Sequence, residues 1–547
     1  MTRPVGDHPL VQTEPRIRAA YAESAGIYRI VPAGVAIPSS LADLRSLVAW
    51  AKRAGASLTA RGAGSGIPGN SVGSGVVVDL RERMPIRLEV DPARGTAITS
   101  ANVTQAELTR AALPHGLRLP PDPSSSGWAT LGGMVSTNAS GPRTVRYGPV
   151  RRWVTALEVV TSDGESGWVE RGQEPERSGV PPLAALHRFS RDAAPRIRQA
   201  QGLIEARYPK TRKNTAGYAL DQWLASGDEL DLFVGAEGTL GLITSILWRL
   251  DPIPPARSGI RVALGSLDDL EPAVHALLPL EPSAIELLDR TFLDLLPDRG
   301  GDTTIPAAAE ALLLVEFERN DQRASRGAAG DAVRALKDLA LDVATALTAE
   351  EEKRLWALRH AASPILAALP PERRSLQVIE DGCVPLPRLG DYIRAVREAA
   401  NRQGLTVVIF GHAGDANVHV NVLPELARPD WPQRIAALFE DVSAAAIALG
   451  GTVSGEHGDG RLRTPLLTRL YGGEILQLFQ LTKTAFDPVG IFNPGVKLGD
   501  TASPLQQLKV GDAAVPIPAD IAQALREIER SGGYARSRVE IAKPGRG

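Results

Sequence analysis

Five glycines and a proline fall within Arg61-Gly62-Ala63-Gly64-Ser65-Gly66-Ile67-Pro68-Gly69-Asn70-Ser71-Val72-Gly73, between the apolar stretches Ala56 to Ala60 and Val76 to Leu80. No feature restricts the fold more. Both flanks predict short buried strands, so the chain must pass from one to the next through a long loop with little side-chain bulk. Residues 64 to 69 match G-x-G-x-x-G, which in a Rossmann unit opens directly into a helix that receives a pyrophosphate. Here Pro68, Gly69, Gly73 and Gly75 prolong the loop into a strand, and the Rossmann reading is excluded. What remains is a run of backbone N–H groups able to form a nest for phosphate oxygens, or a glycine-rich connection with no ligand. The helix before it is predicted over residues 40 to 55, with Ser40 and Asp43 as a capping box, Leu41, Leu44, Leu47 and Val48 at helical spacing, and Gly55 as the stop.

Two further glycine elements follow. After a helix opened by the Thr104/Glu107 capping box and closed before Gly116, the stiff, hydroxyl-rich turn Leu119 to Gly127 leads into Leu131-Gly132-Gly133-Met134-Val135-Ser136-Thr137-Asn138-Ala139-Ser140-Gly141. Small residues of this kind suit backbone lying against a flat ligand. Tyr147-Gly148, a strand from Trp153 to Val160 and an Asp163-Gly164 turn complete the unit, and Gly235-Ala236-Glu237-Gly238-Thr239-Leu240-Gly241 supplies the third element. These segments, in this order, resemble the FAD-binding domain of the vanillyl-alcohol-oxidase or PCMH type, and the resemblance runs from about Tyr21 to about Leu498. It implies an FAD whose pyrophosphate lies in the first loop and whose isoalloxazine runs along the second. The positions it nominates are Arg61, Gly62, Ala63, Gly64, Ser65, Gly66, Pro121, Asp122, Gly132, Gly133, Ser136, Thr137, Asn138, Gly141, Tyr147, Glu237, Gly238, Gly241 and Asn493. No histidine or cysteine stands near the first loop, which implies non-covalent FAD. Ser65 replaces the threonine of many relatives without losing the hydroxyl.

Asp251-Pro252-Ile253-Pro254-Pro255 reads as a stiff domain boundary that cannot continue a sheet. Beyond it, strands are expected at 262–264, 284–288, 312–317 and 406–410, with helices near 269–278, 327–340, 387–402 and 433–449. The fold class is therefore α+β: a two-lobed PCMH-type FAD-binding domain over 33–253, preceded by an N-terminal arm (1–32). An α+β C-terminal substrate or cap domain of the FAD-linked oxidase type follows over 254–498. From 499 to 547 a polar linker leads to a helix over Ala519 to Ser531 and a basic tail with Arg536, Arg538, Lys543 and Arg546, read as solvated or docking.

The chemistry concentrates in Gly411-His412-Ala413-Gly414-Asp415-Ala416-Asn417-Val418-His419 and Ser454-Gly455-Glu456-His457-Gly458-Asp459-Gly460. Alternation places Asn417, His419 and Asn421 on one strand face, with His412 in the turn before it. Adjacent Glu456 and His457 must point in different directions. Imidazoles and a carboxylate suit a divalent ion, zinc or manganese. Both segments resemble the FAD-linked D-2-hydroxyacid dehydrogenases, the group of the D-lactate and D-2-hydroxyglutarate dehydrogenases and the glycolate oxidase flavin subunit. The resemblance implies His412, His419 and Glu456 as metal ligands, zinc first and manganese as the alternative, with His457 as catalytic base. It also nominates Arg359, in Leu355-Trp356-Ala357-Leu358-Arg359, for the substrate carboxylate; Arg463 is the weaker candidate, expected to be solvated. Glu380-Asp381-Gly382-Cys383-Val384-Pro385 also resembles a family segment, though Gln377 and Val378 stand where relatives acting on a second carboxylate tend to carry lysine, which weighs slightly against 2-hydroxyglutarate. Asn493-Pro494-Gly495 matches a terminal motif close to the flavin.

Charge and composition narrow the partners. Lys plus Arg (61) nearly cancel Asp plus Glu (63), so nothing marks nucleic acid or an anionic membrane as obligatory. Cys383 is the sole cysteine, which excludes intrachain disulfides and a cluster held by several cysteines, and it reads as a small buried hydrophobe. With no apolar run at the N-terminus and none of membrane-spanning length, the expectation is a cytoplasmic protein, at most peripheral at the inner face of a membrane. The expected activity is oxidation of a D-lactate-like 2-hydroxy acid to the 2-oxo acid, with electrons passed to a quinone, a cytochrome or an electron-transfer flavoprotein. A homodimer is compatible with this. The alternatives are the flavin subunit of a multi-subunit glycolate-oxidase-like complex, a non-redox flavin transferase of the alkyl-dihydroxyacetone-phosphate synthase type, and a zinc hydrolase with merely structural glycine loops.

Overall fold

The structure, a computed structural model, describes residues 8–172, 183–296, 305–499 and 503–544. Its first unit holds two sheets. In the smaller, Gly34–Ala36, Val76–Asp79 and Leu58–Arg61 run parallel, with Val11–Gln12 added antiparallel at the edge. Val76–Asp79 is buried along its whole length, as the apolar run requires. The helix Leu41–Ala54 packs Leu44, Leu47, Val48 and Ala51 inward and stops at Gly55, at φ 64°. Its N-terminus departs from the expected capping box: Ser40 accepts from the Asp43 amide, but the Asp43 carboxylate turns back to the Ser39 amide and hydroxyl, at 2.8 and 2.7 Å. The Thr104/Glu107 box closes both arms. The second sheet is antiparallel, ordered Leu88–Asp91, Thr96–Ser100, Leu242–Arg249, Val154–Val160, Ser166–Glu170. Leu131–Thr137 coils into a helix, because Thr130 caps the Gly133 amide and Asn138, at φ 51°, ends it.

The proline-rich boundary continues a ladder after all. Asp251–Pro252 pairs with Leu117–Arg118, since a proline lacking its N–H is tolerated in so short a two-stranded pair.

The second unit is a seven-stranded antiparallel sheet, ordered Asp342–Ala346, Ala256–Leu264, Ala311–Arg319, Ala284–Asp289, Thr406–His412, Asn417–Leu423, Gly382–Cys383. One face carries Val407, Ile409, Val418, Val420 and Val422 under the helices Leu270–Leu277, Gln322–Ala335, Leu389–Gln403 and Trp431–Ala448. Leu288, Leu314, Val408 and Phe410 of the other face pack on Leu355, Leu358 and Ala362. Period-two alternation then assigns Glu286, His412, Asn417, His419 and Asn421 to this second face. Thr406–His412 runs two residues further than expected, so His412 closes a strand rather than sitting in a turn; it pairs with Glu286 on one side and Asn417 on the other.

The chain then returns to the first unit. Leu467, Leu470, Tyr471, Ile475, Phe479 and Phe486, all within the 254–498 stretch read as the second domain, pack into the first unit's core with Trp223, Phe233 and Trp248. Asn493 bonds the backbone of Leu58. The helix Ala519–Ser531 buries Ile521, Leu525 and Ile528 against Ile17, Tyr21 and Val35. The C-terminal tail is docked: Arg538 is buried, Arg536 pairs with Glu527 and Lys543 with Glu540, while Arg546 lies outside the described residues. No helix among the described residues is long and apolar enough to cross a membrane.

Candidate active site

Three ligand-type atoms converge where the two units meet. Glu456 Oε1 lies 3.0 Å from His412 Nε2 and 3.3 Å from His419 Nε2. The other ring nitrogens are committed. His412 Nδ1 bonds Glu286 Oε1 at 2.7 Å, and His419 Nδ1 donates to the Glu380 carbonyl at 2.7 Å. A carbonyl only accepts, so His419 Nδ1 carries the hydrogen. Burial outweighs Glu456 and lowers the His419 pKa, which leaves Nε2 a lone pair aimed at a carboxylate oxygen. Two acceptors so placed suit a cation between them. His412 is biased the other way: burial would lower its pKa, but Glu286 outweighs it.

His457 stands beside this trio, its ring stacked 5.1 Å from that of His419. Its Nδ1 is held by Glu380 Oε2 at 2.5 Å, its amide donates to Asp381, and Nε2 is 3.6 Å from Glu456 Oε1. Burial alone would lower its pKa, yet the Glu380 and Asp381 carboxylates raise it to about 9; a divalent ion at the neighbouring ligands would oppose that rise. Glu380 is itself held down to about 2, since His457 and Arg463 outweigh its burial. Arg463 is not solvated as expected. It is buried, bonded to the Gly458 carbonyl and to Glu380, and stays off the cavity wall. Arg359 does line the cavity: its Nε donates to Glu286 at 2.6 Å, its guanidinium lies 5.1 Å from the Phe410 ring centroid, and among the described residues Nη1 and Nη2 make no hydrogen bond.

One continuous cavity runs from this cluster to the glycine loops. Arg359, Gln377, Phe410, His412, His419, Glu456 and His457 line one end. The other end is walled by Arg61, Gly62, Ala63, Gly64, Ser65, Gly66, Gly132, Gly133, Ser136, Thr137, Gly141, Glu237, Gly238 and Gly241. Arg61 faces inward, its Nη2 donating to the Glu23 carbonyl at 2.8 Å, so it shapes the loop. Five nominated positions do not line the cavity. Pro121 and Asp122 sit behind it, Asp122 paired with Arg143; Asn138 accepts from the Arg151 amide; Tyr147 donates to Glu318. Asn493 ties the Asn70 and Glu237 carbonyls together, at 2.8 Å each. Glu286 and Lys213 are neighbours of the cluster that no local pattern marks, whereas Glu380 and Asp381 belong to the segment Glu380 to Pro385 that resembles one of the family.

Known proteins resemble this chain. Residues 32–169 match the family described as FAD binding domain, and residues 253–496 match FAD linked oxidases, C-terminal domain. A D-lactate dehydrogenase of Archaeoglobus fulgidus is 30% identical over 460 residues, covering 84% of this chain and 89% of its own. The chain belongs to the FAD-linked oxidase family. This FAD-linked oxidoreductase is also 28% identical to the glycolate oxidase subunit GlcD of Bacillus subtilis, over 86% of the chain and 89% of that protein. It is 26% identical to the D-2-hydroxyglutarate dehydrogenase of Escherichia coli, over 86% of the chain and 48% of that protein. In fold it is similar to p-cresol methylhydroxylase, with a TM-score of 0.65 at 14% identity over 90% and 94% of the two chains.

The residues present fit the flavin that the family implies. A Cβ on Gly62 would meet Thr130 Oγ1 at 2.3 Å and one on Gly66 would meet Asn70 Oδ1 at 2.3 Å, so a larger residue at either position would displace a neighbouring side chain of the cradle. The Ser71 and Ser140 hydroxyls on its wall are buried without a partner among the described residues. They also fit a divalent ion: among the described residues, His412, His419 and Glu456 form a set whose ligand atoms all lie within 4.8 Å of one another.

Proposed function

We propose that this oxidoreductase converts a D-2-hydroxy acid of the D-lactate kind to its 2-oxo acid. The observation that carries this is the convergence of His412, His419 and Glu456, a set of ligand atoms that suits a cation, with His457 beside it, in the same cavity as the flavin loops. When bound, FAD supplies the hydride acceptor for the substrate carbon, and a divalent ion, zinc or manganese, supplies Lewis acidity at the substrate hydroxyl. Arg359, with its Nη donors uncommitted and its Nε anchored by Glu286, pairs with the substrate carboxylate and fixes orientation. His457 takes the hydroxyl proton at Nε2, since Nδ1 is occupied by Glu380. Overall the substrate loses one hydride to the flavin and one proton to His457.

The D-lactate dehydrogenase and GlcD similarities support a short 2-hydroxy acid. Gln377 on the cavity wall, with Val378 beside it in sequence, supports a side chain without a second carboxylate. Electrons then leave to a quinone, a cytochrome or an electron-transfer flavoprotein, in the cytoplasm or at the inner membrane face. Likeness to a subunit, GlcD, supports a second reading in which the same chemistry runs within a multi-subunit complex. Anaerobic mixing with D-lactate, glycolate and D-2-hydroxyglutarate tests the proposal: D-lactate should bleach the flavin absorbance and L-lactate should not. If no D-2-hydroxy acid reduces the flavin, the proposal fails. His457→Gln should keep FAD and metal but lose reduction, whereas His412→Ala should lower metal content.

A further inference from the structure

Three carboxylates surround the histidines, and each has its own buried cation: Glu286 with Arg359, Glu380 with Arg463, Glu456 with Lys213. The first two pairs orient His412 and His457. The third acts on a ligand of the metal set itself. Lys213 comes from the first unit, in the connection between the helices Gln201–Arg207 and Leu220–Ser226, and its side chain is fully buried. Nζ donates to Glu456 Oε2 at 2.7 Å and to Asn417 Oδ1 and the Gly141 carbonyl at 3.4 Å each, with Asp415 Oδ2 at 3.5 Å. One ammonium thus joins the flavin-side segment to the carboxylate whose other oxygen faces His412 and His419.

We propose that Lys213 is a positioning residue that neutralises Glu456 and turns Oε1 toward the two imidazoles, so that a divalent ion there keeps its full charge toward the substrate. The inference rests on the metal reading above. An isolated carboxylate could swing to present both oxygens and would cancel one of the ion's two charges. With Oε2 saturated by an ammonium, Glu456 offers a single oxygen and the ligand set carries no net negative charge. Removing the ammonium leaves the carboxylate charge uncompensated, which favours holding a cation but weakens that ion as an acid. The effects on metal retention and on rate are therefore opposite in sign. A purely structural lysine would lower both.

Geometry also provides a probe. A second, polar cleft, lined by Asn214, Thr215, Ala216, Asp415 and Gly455, also borders Lys213, which does not line the main cavity. A small alkylammonium entering there could refill the space of a truncated side chain.

The test uses full-length protein loaded with FAD and with zinc or manganese. Lys213→Met should bind FAD as wild type does and hold its metal against a chelator at least as long. Its flavin reduction, by whichever D-2-hydroxy acid reduces the wild type fastest, should fall roughly 10–100-fold. Lys213→Ala should show a similar loss that ethylammonium partly restores, with a saturating concentration dependence absent from Lys213→Met. Loss of metal from Lys213→Met, an unchanged rate, or a Lys213→Ala rate indifferent to ethylammonium would each overturn the inference while the metal reading stood. A wild-type protein that takes up no divalent ion would overturn the reading beneath it as well.

Discussion

Asp289 closes the strand that carries Glu286, and Asp289→Asn should make the protein more stable, increasingly so as pH rises. Its Oδ1 caps the following helix by accepting from the Phe292 amide at 2.9 Å, which an asparagine oxygen can also do. Oδ2 is buried without a hydrogen bond, and Arg397 comes no nearer than 3.8 Å. Burial is the dominant influence, only partly offset by the backbone donors, and lifts this carboxyl from 3.8 to about 7. A raised acid pKa means that the folded state binds the proton more tightly. Stability from this group is full below the unfolded value and is lost as pH climbs through the folded one. The whole rise corresponds to about 4 kcal/mol. Part of that span lies below pH 5 and structural relaxation removes more, so the advantage of the variant should widen by about 2 kcal/mol between about pH 5 and about pH 8. For a unit of this size that is roughly 4–8 °C in melting temperature. Thermal melts of both proteins at the two pH values measure it directly. A gap that does not change with pH would show that Asp289 is ionised in the folded protein throughout, with Arg397 supplying the compensation.

Other consequences follow from the partners of the site. Glu380→Gln removes the charge facing His457 and Arg463 and leaves one acceptor oxygen where the two donors use two; flavin reduction in stopped flow should fall roughly 10–100-fold at unchanged FAD content, and a rate within about twofold of wild type would remove Glu380 from the mechanism. Glu318 accepts from Arg118 at 2.7 and 2.8 Å and from Tyr147 at 2.5 Å, and pairs with Arg257 at 2.8 Å. Glu318→Ala strands a buried guanidinium between the two units, for a loss of about 3–5 kcal/mol and roughly 10 °C in a thermal melt. Gly458 has φ +87°, and a Cβ there would lie 2.6 Å from the Glu237 carboxyl carbon. Gly458→Ala should cost about 1–3 kcal/mol in backbone strain alone and, by displacing Glu237 from the cavity wall, release FAD faster during gel filtration.

Local patterns disclosed the parts of this site that are local. Alternation through Asn417, His419 and Asn421 marked one strand face as polar, and the structure puts His419 and Asn421 on the cavity, with Asn417 buried against Asp381 and Lys213. The Thr104/Glu107 box and the Gly55 stop are contacts within a few residues and were readable for the same reason. The supporting residues are another matter. Glu286 lies 126 positions from His412, Glu380 lies 77 from His457, and Lys213 lies 243 from Glu456. A single buried Glu or Lys in a strand or loop has no periodicity to betray it; its role exists only once the sheet order and the meeting of the two units bring the partners together. Arg463 was misjudged for the same reason, because a short turn rich in glycine and arginine looks solvated until another segment covers it. Asp43 is a smaller case: the spacing favoured a reciprocal cap with Ser40, but the side chain found two donors on Ser39.

The return of Leu467 to Phe486 into the first unit has a consequence for how the protein is made. Trp223, Phe233 and Trp248 have no complete cover until Phe479 and Phe486 arrive. The strand Leu58–Arg61 awaits its backbone partners at Ile491 and Asn493. On the ribosome, even the last glycine element of the flavin cradle, ending at Gly241, emerges more than 220 residues before the segment that secures it. The intervening sheet has to collapse first, as a finished insertion whose ends lie close enough for the late helix to dock. FAD capture is then one of the last steps of folding, and a nascent chain halted before Leu467 should stay colourless however much cofactor surrounds it.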